Sequence, residues 1–312
     1  MDSSLATAGI HSLDRFELEV PDLGEARRFY ETFGLNVCAE GDALTLRTFG
    51  DAHVWGRIRQ GSAKRLLAIR LGIYQKDLDR LVAQIDSARI PAPANAGGDL
   101  WCAAPDGLPI ELAVASKTSP DAKATFDIGA RASRERGASA RGARTQVRPR
   151  RLAHIALFTP DVPAAIDFYC NRLGMRLSDR SGDAVAFLHG RHGSEHHMLA
   201  FLRSDGRGLH HSSWDVGTLA DVGLGAMQMG QAGYTAGWGL GRHVLGSNYF
   251  HYVRDPWGGF AEYSADMDYI AADAQWQAED HPPEDSAFLW GPSPPTDIAT
   301  NFEIEQSCGG SL

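Results

Sequence analysis

The hydrophobic pattern of this chain repeats itself. Near the start, Phe16, Leu18 and Val20 alternate with polar residues, and past the middle Ile155 and Leu157 do the same. A period of two marks a strand with one face buried. Each stretch runs into a Pro-Asp turn (Pro21-Asp22, Pro160-Asp161). A helical run follows, with a Phe-Tyr pair seven residues after the Asp (Phe29-Tyr30, Phe168-Tyr169) and a glycine stop at Gly34 or Gly174. The two halves also close alike. Asp106-Gly107 leads to Ile110-Glu111-Leu112, and Asp255-Pro256-Trp257-Gly258 leads to Ala261-Glu262-Tyr263. Both are turns feeding a strand, with a glutamate at the same place.

Two further helices are predicted mid-half, at Gln75–Ser87 and Thr218–Ala232. An internal repeat of this kind means one supersecondary unit used several times. The expected organisation is an N-terminal half over 1–116, a linker over 117–150, a second half over 151–270, and a Pro-containing tail over 271–312 that is either a packed arm or a lid. Each half should hold two strand–helix–strands modules.

Composition narrows the class. The chain has 312 residues, 43% of them hydrophobic, and a net charge of -9. That suits two domains with real cores and argues against a nucleic-acid binder, which needs excess Lys and Arg. The Arg-rich stretch from Arg131 to Arg151 has no apolar period and reads as solvated linker rather than basic patch. Cys38, Cys102, Cys170 and Cys308 form no disulfide-like spacing. Met1–Ile10 shows no secretory signal, and no apolar run reaches membrane length. A cytoplasmic location is the expectation.

Histidine placement carries the chemistry. Of twelve histidines, nine lie between His154 and His251: His154, His189, His192, His196, His197, His210, His211, His243 and His251. The N-terminal half repeats the fold signals without them. His154 opens the third module, His211 the fourth, and Glu262 lies in the last strand. Two imidazoles and one carboxylate are the facial set that binds non-haem Fe(II) and leaves coordination positions open. Taken singly, a strand His or Glu is more often a core or surface residue. The repeat alters that balance: Arg15 stands in the place of His154, Glu111 in that of Glu262, and no His near Ala68-Ile69-Arg70 takes the place of His211.

The stretch Gly241-Arg242-His243, Tyr252, Asp255-Pro256-Trp257-Gly258, Glu262 resembles the signature of type I extradiol dioxygenases, members of the vicinal oxygen chelate (glyoxalase–bleomycin resistance–dioxygenase) superfamily. The resemblance covers about residues 11–270. His251 departs from it, standing where the family has an apolar residue; alternation turns it away from Tyr252, outward or toward another subunit. The resemblance implies an α+β fold, four βαβββ modules paired into two barrel-like domains, with only the second binding metal. It implies Fe(II), with Mn(II) as the alternative, on His154, His211 and Glu262. It also implies His197 as the acid beside bound oxygen, and His243 and Tyr252 as the groups that bind and deprotonate a catechol. The implied partners are a catechol and O2, and a homo-oligomer is expected.

Some residues stay open. Alternation puts His196 and His197 on opposite sides of a strand, and family register favours His197. His189 and His192 fall in a turn and should be exposed. Trp214, Trp257, Tyr249 and Phe250 could wall the pocket, although strand aromatics are more often core. Competing readings are another metal-dependent enzyme of the superfamily, such as a glyoxalase-like isomerase or lyase, and a non-catalytic binding protein of the same fold. Within the leading reading, a substituted one-ring catechol is the favoured substrate.

Overall fold

The computed structural model describes residues 8–94, 96–98, 100–127, 133–134 and 136–304. The first module is β1 (Ser12–Val20), α1 (Leu23–Phe33), β2 (Asn36–Glu40), β3 (Ala43–Arg47) and β4 (Gly56–Gln60). The second is β5 (Arg65–Ile73), α2 (Leu78–Ile85), β6 (Trp101–Ala103) and β7 (Pro109–Val114). The third is β8 (Arg151–Thr159), α3 (Val162–Asp167), β9 (Arg176–Ser181), β10 (Val185–His189), the short β11 (Ser194–Glu195) and β12 (Leu199–Arg203). The fourth is β13 (Gly208–Asp215), α4 (Leu219–Gln231), β14 (Gly237–Arg242), β15 (Tyr249–Arg254) and β16 (Phe260–Ala265). Two short strands follow, β17 (Tyr269–Ile270) on β11 and β18 (Glu279–Asp280) on β9.

The repeat seen in the sequence has a direct cause in capping chemistry. Asp22 and Asp161 are the N-caps of α1 and α3; their carboxylates accept from the backbone N–H of Glu25 and Ala164 at 3.0 and 2.9 Å. Gly34 ends α1 at φ 103° and Gly174 follows the π-turn Phe168–Arg172 that extends α3, at φ 69°. A Cβ is strained in that left-handed region. Thr218 caps α4 by accepting from Asp221 N–H at 2.9 Å. The second module is thinner than its pattern suggests, with two strands after α2 among the described residues. Pro91, Pro93, Gly97 and Gly98 fill the place of a strand, and proline cannot donate to a ladder.

The first sheet runs β2-β3-β4-β1-β5-β7-β6 and the second β14-β15-β16-β13-β8-β12-β10-β9-β18. Each is centred on an antiparallel pair of module-opening strands, β1 with β5 and β8 with β13, and each of those strands pairs in parallel with its own module's last strand. The opening strands β8, β13 and the closing strand β16 are therefore neighbours, which is what brings a residue at 154, one at 211 and one at 262 together. One apolar core runs through both halves. Phe33 at the end of α1 stacks on Tyr263 of β16 at 3.9 Å, and the Tyr263 hydroxyl donates to the Phe33 carbonyl at 2.8 Å. That ring lies against Gly225 of α4, where a Cβ would come within 2.7 Å of it.

The chain before β8 runs between α1 and α4. Gln146 donates to the Glu31 carbonyl, Val147 N–H reaches Gln228, and Arg150 pairs with Asp215 at 2.7 Å. No helix among the described residues is long and apolar enough to cross a membrane.

Candidate active site

Three buried side chains from the three neighbouring strands meet at one point. Register pairs Ser213 with both His154 and Glu262, so these share a face of the sheet, and His211 lies two residues along on the same face. His154 Nε2 is 3.1 Å from His211 Nε2 and 3.3 Å from Glu262 Oε2, and His211 Nε2 is 3.6 Å from the same oxygen. Burial pushes the Glu262 carboxyl up, but the imidazoles of His154 and His243 close beside it outweigh that and hold it well below the usual carboxylate range. Burial keeps His211 neutral.

This geometry fits a divalent metal. Glu262 Oε2 is buried and has no hydrogen-bond partner, although two imidazole nitrogens face it. Three cis ligands on an octahedral ion at about 2.1 Å lie about 3 Å apart, close to the spacing found. Two neutral nitrogens and one carboxylate are the donor set of a non-haem iron site.

The two His-His pairs share one wiring. In strands, neighbours point to opposite faces, yet His210 Nδ1 lies 2.6 Å from His211 Nδ1, and His196 Nδ1 lies 3.0 Å from His197 Nδ1. The reason is irregular backbone. The β13–β8 register slips between Leu209 and His211, leaving His210 as a bulge, and residues 196–198 fall between β11 and β12. In each pair the first histidine is held by an acceptor elsewhere. His210 Nε2 donates to the Ile298 carbonyl at 2.7 Å, and His196 Nε2 to Asp179 Oδ2 at 2.8 Å.

His243 and Tyr252 face the same point from β14's end and β15. Tyr252 pairs in register with Glu262. His243 Nε2 is 3.1 Å from the Tyr252 hydroxyl and 3.6 Å from Glu262 Oε1, and its Nδ1 donates to the Ala287 carbonyl. Burial first, then the Glu262 charge, keeps the Tyr252 phenol protonated, well above its usual range. His197 lies 4.2 Å from His154, ring to ring, and burial, with His154 beside it, holds it neutral. Asn248 donates to Glu262 Oε1 at 3.4 Å and to Ser264 at 3.0 Å.

Residues 151–263 match the family described as the Glyoxalase/Bleomycin resistance protein/Dioxygenase superfamily. The chain is 45% identical over 298 residues to metapyrocatechase 2 of Cupriavidus necator, covering 94% of this chain and 93% of that one. It belongs to the metapyrocatechase family of that superfamily. Two solved structures share the fold. The Mn(II)-bound glyoxalase from Novosphingobium aromaticivorans has a TM-score of 0.74 at 25% identity, covering 94% of this chain and 95% of that one. An extradiol ring-cleaving dioxygenase from B. fuscum also has a TM-score of 0.74, at 22% identity, covering 95% and 84%.

The N-terminal half of this metapyrocatechase relative holds the remains of the same arrangement. Register sets Arg15 opposite Arg70 and Arg70 beside Glu111, so Arg15 stands where His154 does, Arg70 where Ser213 does, and Ala68 where His211 does. Glu111 is buried 3.6 Å from Arg15 and 3.4 Å from Arg70. Two guanidiniums face the carboxylate there, and burial still raises it above its ordinary range.

His154, His211, His197, His243 and Tyr252 line one cavity of about 340 Å³, and Glu262 is buried beside the first two. Other expectations need correction. His189 is 1% exposed rather than surface, because its strand β10 carries it into the core, where it bonds to Ser178. His192 is also covered; it bridges to the buried Asp77 of the other half at 2.6 Å. His251 does face away from the cavity, but it is half-buried in register with Tyr263, and burial pushes its pKa to about 4. Trp214 and Phe250 are core residues, and Trp257 and Tyr249 pack against the core; none of the four lines the cavity. Phe187 and Trp238 do, from strands whose pattern gave no distinguishing mark. Asp179, the partner of His196, carries no mark in the sequence, since it reaches from β9 to the irregular stretch between β11 and β12.

Proposed function

We propose that the protein opens a one-ring catechol bearing an apolar substituent, with O2, at Fe(II) held by His154, His211 and Glu262. The protein is an extradiol ring-cleaving dioxygenase, and a catechol and O2 are its substrates. The observation that carries the finer reading is the asymmetry of the cavity. His154, His211, His197, His243 and Tyr252 gather at one end, while Val185, Phe187, Leu202, Leu245, Pro294 and Ile298 make the rest apolar. Among the described lining residues, Arg203 is the one guanidinium, and it lies exposed at the mouth. A buried carboxylate on the ring would lack a partner there.

Iron held by His154, His211 and Glu262 would supply Lewis-acid and redox chemistry, lowering the pKa of a catechol hydroxyl and linking the electrons of the ring to O2. The side chains handle the protons. His243, its Nδ1–H committed to the Ala287 carbonyl, presents the lone pair of Nε2 toward Tyr252 and the substrate side. It can accept a catechol proton while the protonated Tyr252 donates to a substrate oxygen. His196, donating to Asp179, leaves its Nδ1 lone pair to accept from His197 Nδ1–H. His197 Nε2 is then free to take up a proton and return it to the oxygen side of the cavity. Water exclusion by the apolar walls strengthens each of these contacts.

A second reading, Mn(II) on the same ligands in a glyoxalase-like reaction, draws on the likeness to the Mn(II)-bound glyoxalase. Oxygen uptake over a catechol panel, together with metal analysis of the purified protein, tests both. Alkyl-substituted one-ring catechols should be cleaved with kcat/KM at least ~100-fold above carboxylate-bearing ones, the cost of an unpaired buried charge. Preference for the carboxylates would overturn the substrate assignment. Failure to consume O2 with any catechol would overturn the reaction.

A further inference from the structure

The segment from Ser286 to Ala299 lies outside the repeated modules and outside the matched stretch 151–263. It nevertheless forms one wall of the cavity through Ser286, Ala287, Pro294, Ile298 and Ala299. It is tied down on both sides of that wall. Trp238 Nε1 donates to the Pro292 carbonyl at 2.7 Å, Leu289 N–H to the Arg242 carbonyl at 2.7 Å, and Arg254 pairs with Asp297 at 2.7 Å. Farther on, Glu303 accepts the backbone N–H of Leu209, just before the His-His pair, at 2.9 Å.

We propose that this segment is a working part of the metal centre: through the Ile298 carbonyl and His210 it selects the tautomer in which His211 can bind metal. This rests on the metal site of the reading above. A carbonyl only accepts, so the 2.7 Å contact places the His210 proton on Nε2. His210 is buried, its two nitrogens meet a carbonyl and an imidazole, and no carboxylate among the described residues pairs with it, so nothing there balances a second proton. Its Nδ1 is therefore a bare lone pair 2.6 Å from His211 Nδ1, and His211 must supply the proton between them. That leaves the lone pair of His211 on Nε2, the atom that faces His154 and Glu262. The bulge at His210 is what makes the contact possible, since regular alternation would turn the two rings apart. His154 lacks such a device: its Nδ1 is buried without a partner, so the pre-set donor of the pair is His211.

His210 is thus a positioning residue, and its effect belongs to metal affinity before any turnover. The probe is Co(II), titrated into the metal-free protein without substrate and followed by its visible absorption. His210→Phe keeps ring bulk and removes the acceptor; it should weaken Co(II) binding by about 10–100-fold, the usual effect of losing a ligand's outer hydrogen bond. His210→Asn sets an acceptor oxygen near the position of Nδ1 and should recover most of that loss. Asp297→Ala loosens the segment without touching either ring and should weaken binding by a smaller factor. Nitrogen-15 NMR of the metal-free wild type should show His211 protonated at Nδ1. Should His211 carry its proton on Nε2 there, or His210→Phe bind Co(II) as tightly as wild type, the proposal is overturned. The NMR arm stands even where His210→Phe does not fold. Oxygen uptake is not read in any arm, so failure of the ring-cleavage assignment shows separately, in the catechol panel.

Discussion

Asp179 Oδ2 lies 2.8 Å from His196 Nε2, and the same carboxylate's Oδ1 accepts the backbone N–H of Glu279 at 2.9 Å. Burial raises the Asp179 carboxyl, yet the hydrogen bonds led by His196 bring it below its ordinary value. A charged acceptor behind His196 makes its Nδ1 a better acceptor for His197. Asp179→Asn keeps the size and the contact to Glu279 but removes the charge. It should retain metal and lower kcat about 10–100-fold, in line with losses of outer hydrogen bonds at metal sites. Oxygen uptake normalised to metal content checks it, and an unchanged kcat would remove Asp179 from the proton path.

Loss of a metal ligand should differ in kind. His154→Ala or Glu262→Ala is expected to abolish both metal binding and ring cleavage, because two donors cannot hold the ion in a facial set. His197→Phe should keep the metal and slow turnover by roughly 10²–10⁴-fold, the range of general acid–base contributions. Metal analysis beside single-turnover kinetics separates the two classes. Wild-type oxygen consumption by His197→Phe would move the acid role to His196.

Lys64, in the turn before β5, reaches across to Asp255 at 2.6 Å, with both side chains almost fully buried. Asp255 Oδ1 meanwhile holds the turn into β16 by accepting from Trp257 N–H and Gly259 N–H. Removing the cation leaves a buried carboxylate, so Lys64→Met should cost about 3–5 kcal/mol. Adding Asp255→Asn should recover part of it. Urea unfolding measures both; a Lys64→Met cost below ~1 kcal/mol would mean that the pair does not hold the halves together.

His189 makes the fold acid-sensitive. Ser178 Oγ donates to the His196 carbonyl and accepts from His189 Nδ1–H, while His189 Nε2 is buried with no acceptor. A proton there has nowhere to bond, and burial lowers the His189 pKa to about 3. Unfolded, it titrates near 6.5. Between those values the unfolded chain binds the extra proton, so stability falls as pH drops below 6.5 and the loss is complete only near pH 3. One such histidine contributes about 1.4 kcal/mol per pH unit within that window. Unfolding free energies at pH 7 and pH 5 should differ less in His189→Gln than in wild type. An equal difference would show that His189 is already charged at pH 5.

Local chemistry made much of this protein readable from its sequence. Asp22 and Asp161 cap, Gly34 and Gly174 stop, and Thr218 starts α4, all within a few residues of the groups they satisfy. Repetition did the rest: Arg15 against His154 and Glu111 against Glu262 singled out one half as the metal half. Even the sharing of one face by His154, His211 and Glu262 follows from a period of two once the strands are neighbours. Alternation fails where the backbone is irregular, which is why it sets His196 and His197 on opposite sides although the ring of His196, like that of His210, meets its neighbour's. What only the tertiary structure decided lies between distant segments. Asp179 meets His196, and the carbonyls of Ala287 and Ile298 meet His243 and His210. A backbone carbonyl has no side-chain signature, and a contact made from β9 to the stretch between β11 and β12, or by a tail folded over a cavity, leaves no period in the sequence.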